Sequence, residues 1–200
     1  MMCGVLRARA LAALALALAL APGPAARALE VAGVDFPARL EVGPARTPLV
    51  LSGAGLRRAF GFKVYAVGLY LPARAAGAEA AIAAPGPKRV AIQMLRDVDS
   101  KDYVENFEKA LRANHDAAAL QALAPSIARF EAIIGALEVI PTGKRIWLDL
   151  VPGGAMVVSI DGAPHGEPIA DPAFYPAVLE NWLGQNPVQE RLKKELLGAE

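Results

Sequence analysis

The chain has 200 residues, 54% of them hydrophobic and 20% charged, with 21 bases against 20 acids and a single cysteine. A charge this close to balance gives no electrostatic reason to bind nucleic acid or anionic lipid head groups. One cysteine excludes an internal disulfide framework and a thiolate zinc site, and the length suits one domain with a sizeable core.

In chain order, Arg7 and Arg9 precede an apolar run from Ala10 to Ala21, which Pro22, Gly23 and Pro24 end before the small residues of Ala25 to Ala28. That is the order of a secretory signal peptide, and the run of about a dozen residues falls short of the roughly 20 that span a bilayer. Cleavage is expected after Ala28, leaving a domain over 29–200 in the periplasm or outside the cell, with no stable membrane span. Cys3 leaves with the segment. So do Arg7, Arg9 and Arg27, and the remainder becomes slightly acidic.

Strand-like runs follow at Ala38 to Val42, Leu49 to Arg57, Phe62 to Leu71 and Arg89 to Leu95, separated by Gly and Pro. Ala75 to Pro87 reads as a soft connection. Ser100 can cap a helix to about Ala113, with Val104, Phe107 and Leu111 on one face. A second helical region runs from Asp116 to Leu137 and is expected to break near Pro125. Strands at Arg145 to Val151 and Ala155 to Ile160 flank the hairpin signal Pro152-Gly153-Gly154. Asp171-Pro172 opens a helix ending at Gly184, and Asn186-Pro187 starts a last one to Leu197. Grouped strands and grouped helices describe an α+β domain, an open antiparallel sheet covered on one face by a layer of helices. The space between sheet and helices is a natural place for an apolar pocket.

Most of the chemistry-bearing residues have a plain structural reading. His115 and His165 sit in loop-like neighbourhoods with no second ligand donor at metal spacing, so neither a metal nor a cofactor site is expected. Gly53-Ala54-Gly55 lacks the following helix that a phosphate cradle needs and reads as close backbone packing or a strand bulge. No serine lies in a nucleophile elbow, and Trp147 and Trp182 read as core.

What remains is Arg57 with Tyr65 or Tyr70, an arginine and tyrosines among small and apolar residues. A guanidinium carried toward a greasy interior needs an anion or strong dipole to answer it. In one uninterrupted strand Arg57 and Tyr65 would stand about 26 Å apart. A fold-back at Arg58-Ala59-Phe60-Gly61, where Gly61 accepts a positive φ, would set them on neighbouring strands within reach of one carboxylate. A structural salt bridge or a solvated arginine accounts for the same residues.

The strings GAGLR at Gly53 to Arg57, KVYAVGLYLP at Lys63 to Pro72 and WLGQNPVQERLKKELLG near the end resemble the chalcone isomerase family, in particular its non-catalytic and fatty-acid-binding branches. The resemblance implies the sheet-and-helix fold just described. It also implies that Arg57 holds the substrate's developing charge in an enzyme or the carboxylate in a fatty-acid binder, with Tyr65 in place of the enzymes' catalytic threonine, as in the binders. The enzymes' Tyr, Lys and Asn at the start of the following helix fall on Ser100, Tyr103 and Phe107, so the tyrosine that orients a catalytic water is missing. The leading expectation is therefore an exported, non-enzymatic protein binding a small apolar anion such as a fatty acid through Arg57 and Tyr65, with Lys63, Tyr70 and Tyr103 as further contacts. Two alternatives stand beside it. One is a cofactor-free isomerase of the chalcone isomerase type, with Arg57 as its catalytic cation. The other is an envelope scaffold in which Arg57 pairs with an acid such as Asp97 or Glu105 in a filled interior. Nothing in the sequence fixes an oligomeric state.

Overall fold

The computed structural model describes residues 28–198. The expected signal segment therefore lies outside the described residues except for Ala28.

Among the described residues, eleven strands and five helices follow one another. A short hairpin, β1 (Leu29–Val31) and β2 (Val34–Phe36), precedes β3 (Arg39–Val42), β4 (Thr47–Ala59) and β5 (Phe62–Leu71). After α1 (Ala78–Ala83) come β6 (Lys88–Met94), β7 (Val98–Asp99), α2 (Ser100–Asn114), α3 (Ala117–Gly135) and β8 (Val139–Ile140). The chain ends with β9 (Arg145–Leu150), β10 (Met156–Ile160), β11 (Ala163–Pro164), α4 (Phe174–Leu183) and α5 (Glu190–Leu196). Seven strands form one sheet in the order β11-β10-β9-β6-β5-β4-β3, every pair antiparallel, with β11 and β3 as free edges. This is the open antiparallel α+β sheet that the sequence implied.

Alternation along the strands assigns the two faces. Tyr65, Val67, Leu69 and Leu71 of β5 join Val90, Ile92, Ile146 and Leu148 in the main core beneath the helices. Ala66 and Tyr70 point the other way, into a smaller cluster closed by Val34 and Phe36 of the first hairpin. Among the helices α4 lies deepest, burying Phe174, Tyr175, Val178, Leu179 and Trp182. The glycines of GAGLR serve α5, because a Cβ on Gly53 would lie 2.1 Å from the Glu195 carbonyl oxygen and one on Gly55 2.7 Å from Leu192. The same stretch holds a bulge between Leu51 and Gly53, so both structural readings of Gly53 to Gly55 apply.

Several boundaries differ from expectation. Asp99, not Ser100, caps α2, its carboxylate accepting the Lys101 N–H at 2.8 Å. Helix α3 runs unbroken through Pro125, since Leu123, Phe130, Ile133 and Ile134 bury its face on both sides of the lost hydrogen bond. A helix, α1, stands inside the stretch read as a soft connection, and α5 starts later than Asn186.

Candidate functional site

The fold-back at Arg58 to Gly61 forms. Phe60 and Gly61 take φ of 50° and 82°, and the turn joins β4 directly to β5. Arg57 then pairs with Tyr65 across the ladder. One step nearer the turn Arg58 pairs with Lys63, leaving Val64 as an extra residue in β5. That bulge keeps Val64 and Tyr65 against the same cavity and turns Lys63 out of it. Lys63 is exposed and away from the cavity, a departure from its expected place beside Arg57. Tyr70 departs too. Five residues from Tyr65 means the opposite face, where Tyr70 lies buried beside Arg89 and burial pushes its phenol pKa up.

Arg89, which sequence reasoning passed over, carries a largely buried guanidinium. Asp149 answers it through two hydrogen bonds of 2.6 Å, and Trp147 covers it with 4.2 Å between guanidinium carbon and ring centroid. Trp147 is thus a half-buried lid on an ion pair rather than a core residue. Arg57 is half-buried, and among the described residues no carboxylate pairs with it. Its Nη1 donates to the Arg58 carbonyl at 2.7 Å, which leaves the other guanidinium N–H groups without that partner. Asp97, one of the acids expected to pair with Arg57, instead accepts the Thr142 N–H and Oγ1 at 2.7 and 2.8 Å.

Trp182 donates its Nε1 hydrogen to the Tyr65 hydroxyl oxygen at 3.0 Å. Burial raises the Tyr65 pKa, and the Trp182 hydrogen bond and the nearby Arg57 cation offset only part of the rise. Tyr65 is therefore a neutral phenol whose oxygen is occupied, with a proton to donate. Tyr103, from α2, lines the same cavity, and burial followed by the neighbouring Tyr65 raises its pKa as well.

Arg57, Tyr65 and Tyr103 meet at a cavity of about 660 Å³ between the sheet and helices α2 and α4. Its apolar wall includes Val98, Phe107, Phe130, Leu148, Trp182 and Val188. Phe107, in the place the resemblance assigns to a polar enzyme residue, packs against Phe130 with ring centroids 4.4 Å apart and planes tilted by 42°. Asn181, 3% exposed, also lines it and has an Oδ1 with no donor. Trp182 and Asn181 were missed as site residues because the pattern around Trp182 is that of an ordinary core helix face. His115, whose neighbourhood reads as a loop, closes α2 as its C-cap and packs its Nε2 3.4 Å from Glu180 of α4.

A family model described as chalcone isomerase-like matches residues 28–198. The chain belongs to the chalcone isomerase-like family. Among solved structures, this family member is similar to a fatty-acid-binding protein of Arabidopsis thaliana, with a TM-score of 0.60 and 17% sequence identity over 82% of this chain and 92% of that one. That likeness establishes the shared fold. No curated protein sequence matches the chain.

Proposed function

We propose that this chalcone isomerase-like protein binds a small apolar carboxylate, a fatty acid being the type case, without converting it. The carboxylate meets Arg57 and the Tyr65 hydroxyl, and the hydrocarbon lies along the Phe107, Phe130 and Trp182 side of the cavity. The observation that carries this reading is a guanidinium with no acid partner among the described residues, ladder-paired with a neutral phenol at the edge of an unfilled, partly apolar cavity. The resemblance to a protein named for fatty-acid binding supports it. Burying some fourteen methylenes at about 0.8 kcal/mol each gives roughly 11 kcal/mol gross. Each charge-assisted hydrogen bond adds about 1.5 to 3 kcal/mol net. After association costs, an affinity of about micromolar follows, with the tail setting strength and the head setting orientation.

A non-enzymatic role is supported by the helix that follows β7, where Ser100 and Phe107 stand at positions the resemblance assigns to catalytic-site residues. Export is part of the proposal: the basic, apolar and small-residue order of 1–28 supports it, and the family match begins at residue 28. Extraction and mass spectrometry of the purified protein is expected to return a co-purifying long-chain acid from the parent and much less from Arg57→Ala. Equal recovery from both, or none from either, would remove the basis for the reading.

A further inference from the structure

The tip of the β4–β5 hairpin carries features that folding does not explain. Phe60 is 99% exposed and Phe62 60% exposed. The turn asks for residues at ease with positive φ, Asn-Gly being the common choice, yet a bulky aromatic holds φ 50° at its first position. Solvation and backbone both disfavour phenylalanine there, and nothing in the core gains from it. Arg58 and Lys63, both exposed, flank the rings on the two strands, and the Arg96 guanidinium lies 4.9 Å from the Phe62 ring centroid. Aromatic residues at a projecting point with cations one step behind them suit the boundary between acyl chains and anionic head groups. Phe60 and Arg96 also line the mouth of the cavity.

We propose that this tip docks the protein on a bilayer bearing anionic head groups, Phe60 and Phe62 entering the acyl boundary while Arg58, Lys63 and Arg96 stay at head-group level. The proposal goes beyond ligand binding. Its geometry sets the cavity mouth against a source of apolar acids. The near-neutral total charge does not report this local cluster of cations. Asp97, Asp99, Asp102 and Lys109 also line the cavity, but Asp97 is held by Thr142 and Asp99 caps α2, which leaves Arg58, Lys63 and Arg96 to meet an anionic surface at the hairpin.

The test is flotation with phosphatidylcholine vesicles, with and without phosphatidylglycerol, using the protein as cells release it and with its N-terminus read by mass spectrometry. Every variant shares that N-terminus, so differences report the tip. The parent is expected to float with the phosphatidylglycerol vesicles and to lose this in about 1 M salt, where the Debye length is about 3 Å. The double variant Phe60→Ser/Phe62→Ser is expected to bind at least about tenfold less. Arg58→Glu/Lys63→Glu removes the preference for phosphatidylglycerol, and Phe60→Trp shows a blue-shifted emission on vesicles. Affinity for a soluble medium-chain acid, measured in lipid-free buffer, stays at the parent's value in Phe62→Ser, whose ring does not line the cavity. A parent that does not float, or floats equally well without the two rings, overturns the docking surface. Flotation through the tip with no fatty-acid affinity would leave docking standing and remove the ligand reading, and the converse would do the reverse.

Discussion

Two arginines on opposite faces of one sheet meet opposite fates, and the difference decides what each can do. Arg89 is buried against Asp149, so its charge is already answered by the protein. Removing one partner leaves the other uncompensated: Asp149→Ala is expected to cost about 3 to 5 kcal/mol in urea denaturation, and Arg89→Met/Asp149→Leu to recover most of it. A double variant as unstable as the single would show that the pair does more than cancel charge. Arg57 has no such answer among the described residues, and it was legible because a glycine turn could be seen to bring it beside Tyr65. Tyr70 was readable in principle by its odd spacing from Tyr65. Lys63 was not, because a bulge at Val64 leaves no compositional mark. Arg89 went unnoticed because its partner lies 60 residues away, which local pattern cannot reach.

At the scale of elements, the long strands and helices announced themselves through alternation and 3.6-residue periodicity, whereas β1, β2 and α1 were too short to do so. The join of α5 to β4 depends on missing side chains. Gly53→Ala forces a methyl into the Glu195 backbone, while Gly55→Ala meets the movable ends of Glu195 and Leu192 and, 2.7 Å away, the Glu195 Cβ. Gly53→Ala is thus expected to lose about 1 to 3 kcal/mol, more than Gly55→Ala, and to expose α5 to proteolysis. Equal tolerance at both sites would contradict the close packing. The α2–α3 seam carries a pH dependence. Burial, then the hydrogen bond and charge of Glu108, raise the Glu131 pKa from about 4.5 to about 7, with Arg112 offsetting part. Between those values the folded protein keeps a proton that the unfolded chain releases, so this seam weakens as pH rises toward and through 7. Melting temperature is expected to fall from pH 5 to pH 8, and Glu131→Gln to flatten that slope. An unchanged slope in the variant would place the dependence elsewhere.

For the whole molecule, the layered α+β architecture follows from the order of grouped strands and helices, and the interlayer space becomes a cavity because Phe107, Phe130 and Trp182 line it without filling it. The sequence could not announce that void, since emptiness is set by how side chains from α2, α3, α4 and the sheet fail to meet. Nor could total charge reveal a local cluster of cations at the hairpin tip. The proposed export adds its own expectation: the N-terminus of any protein recovered outside the cytoplasm should be Leu29, and recovery with Met1 would contradict processing. The central claim, that Arg57 reads a carboxylate at the mouth of this cavity, is tested most directly by titrating oleic acid and its methyl ester into the parent and into Arg57→Ala. The account predicts that the acid binds the parent about 10- to 100-fold more tightly than the ester, and that Arg57→Ala binds the two alike. An acid-over-ester preference that survives in Arg57→Ala, or is missing from the parent, would contradict it.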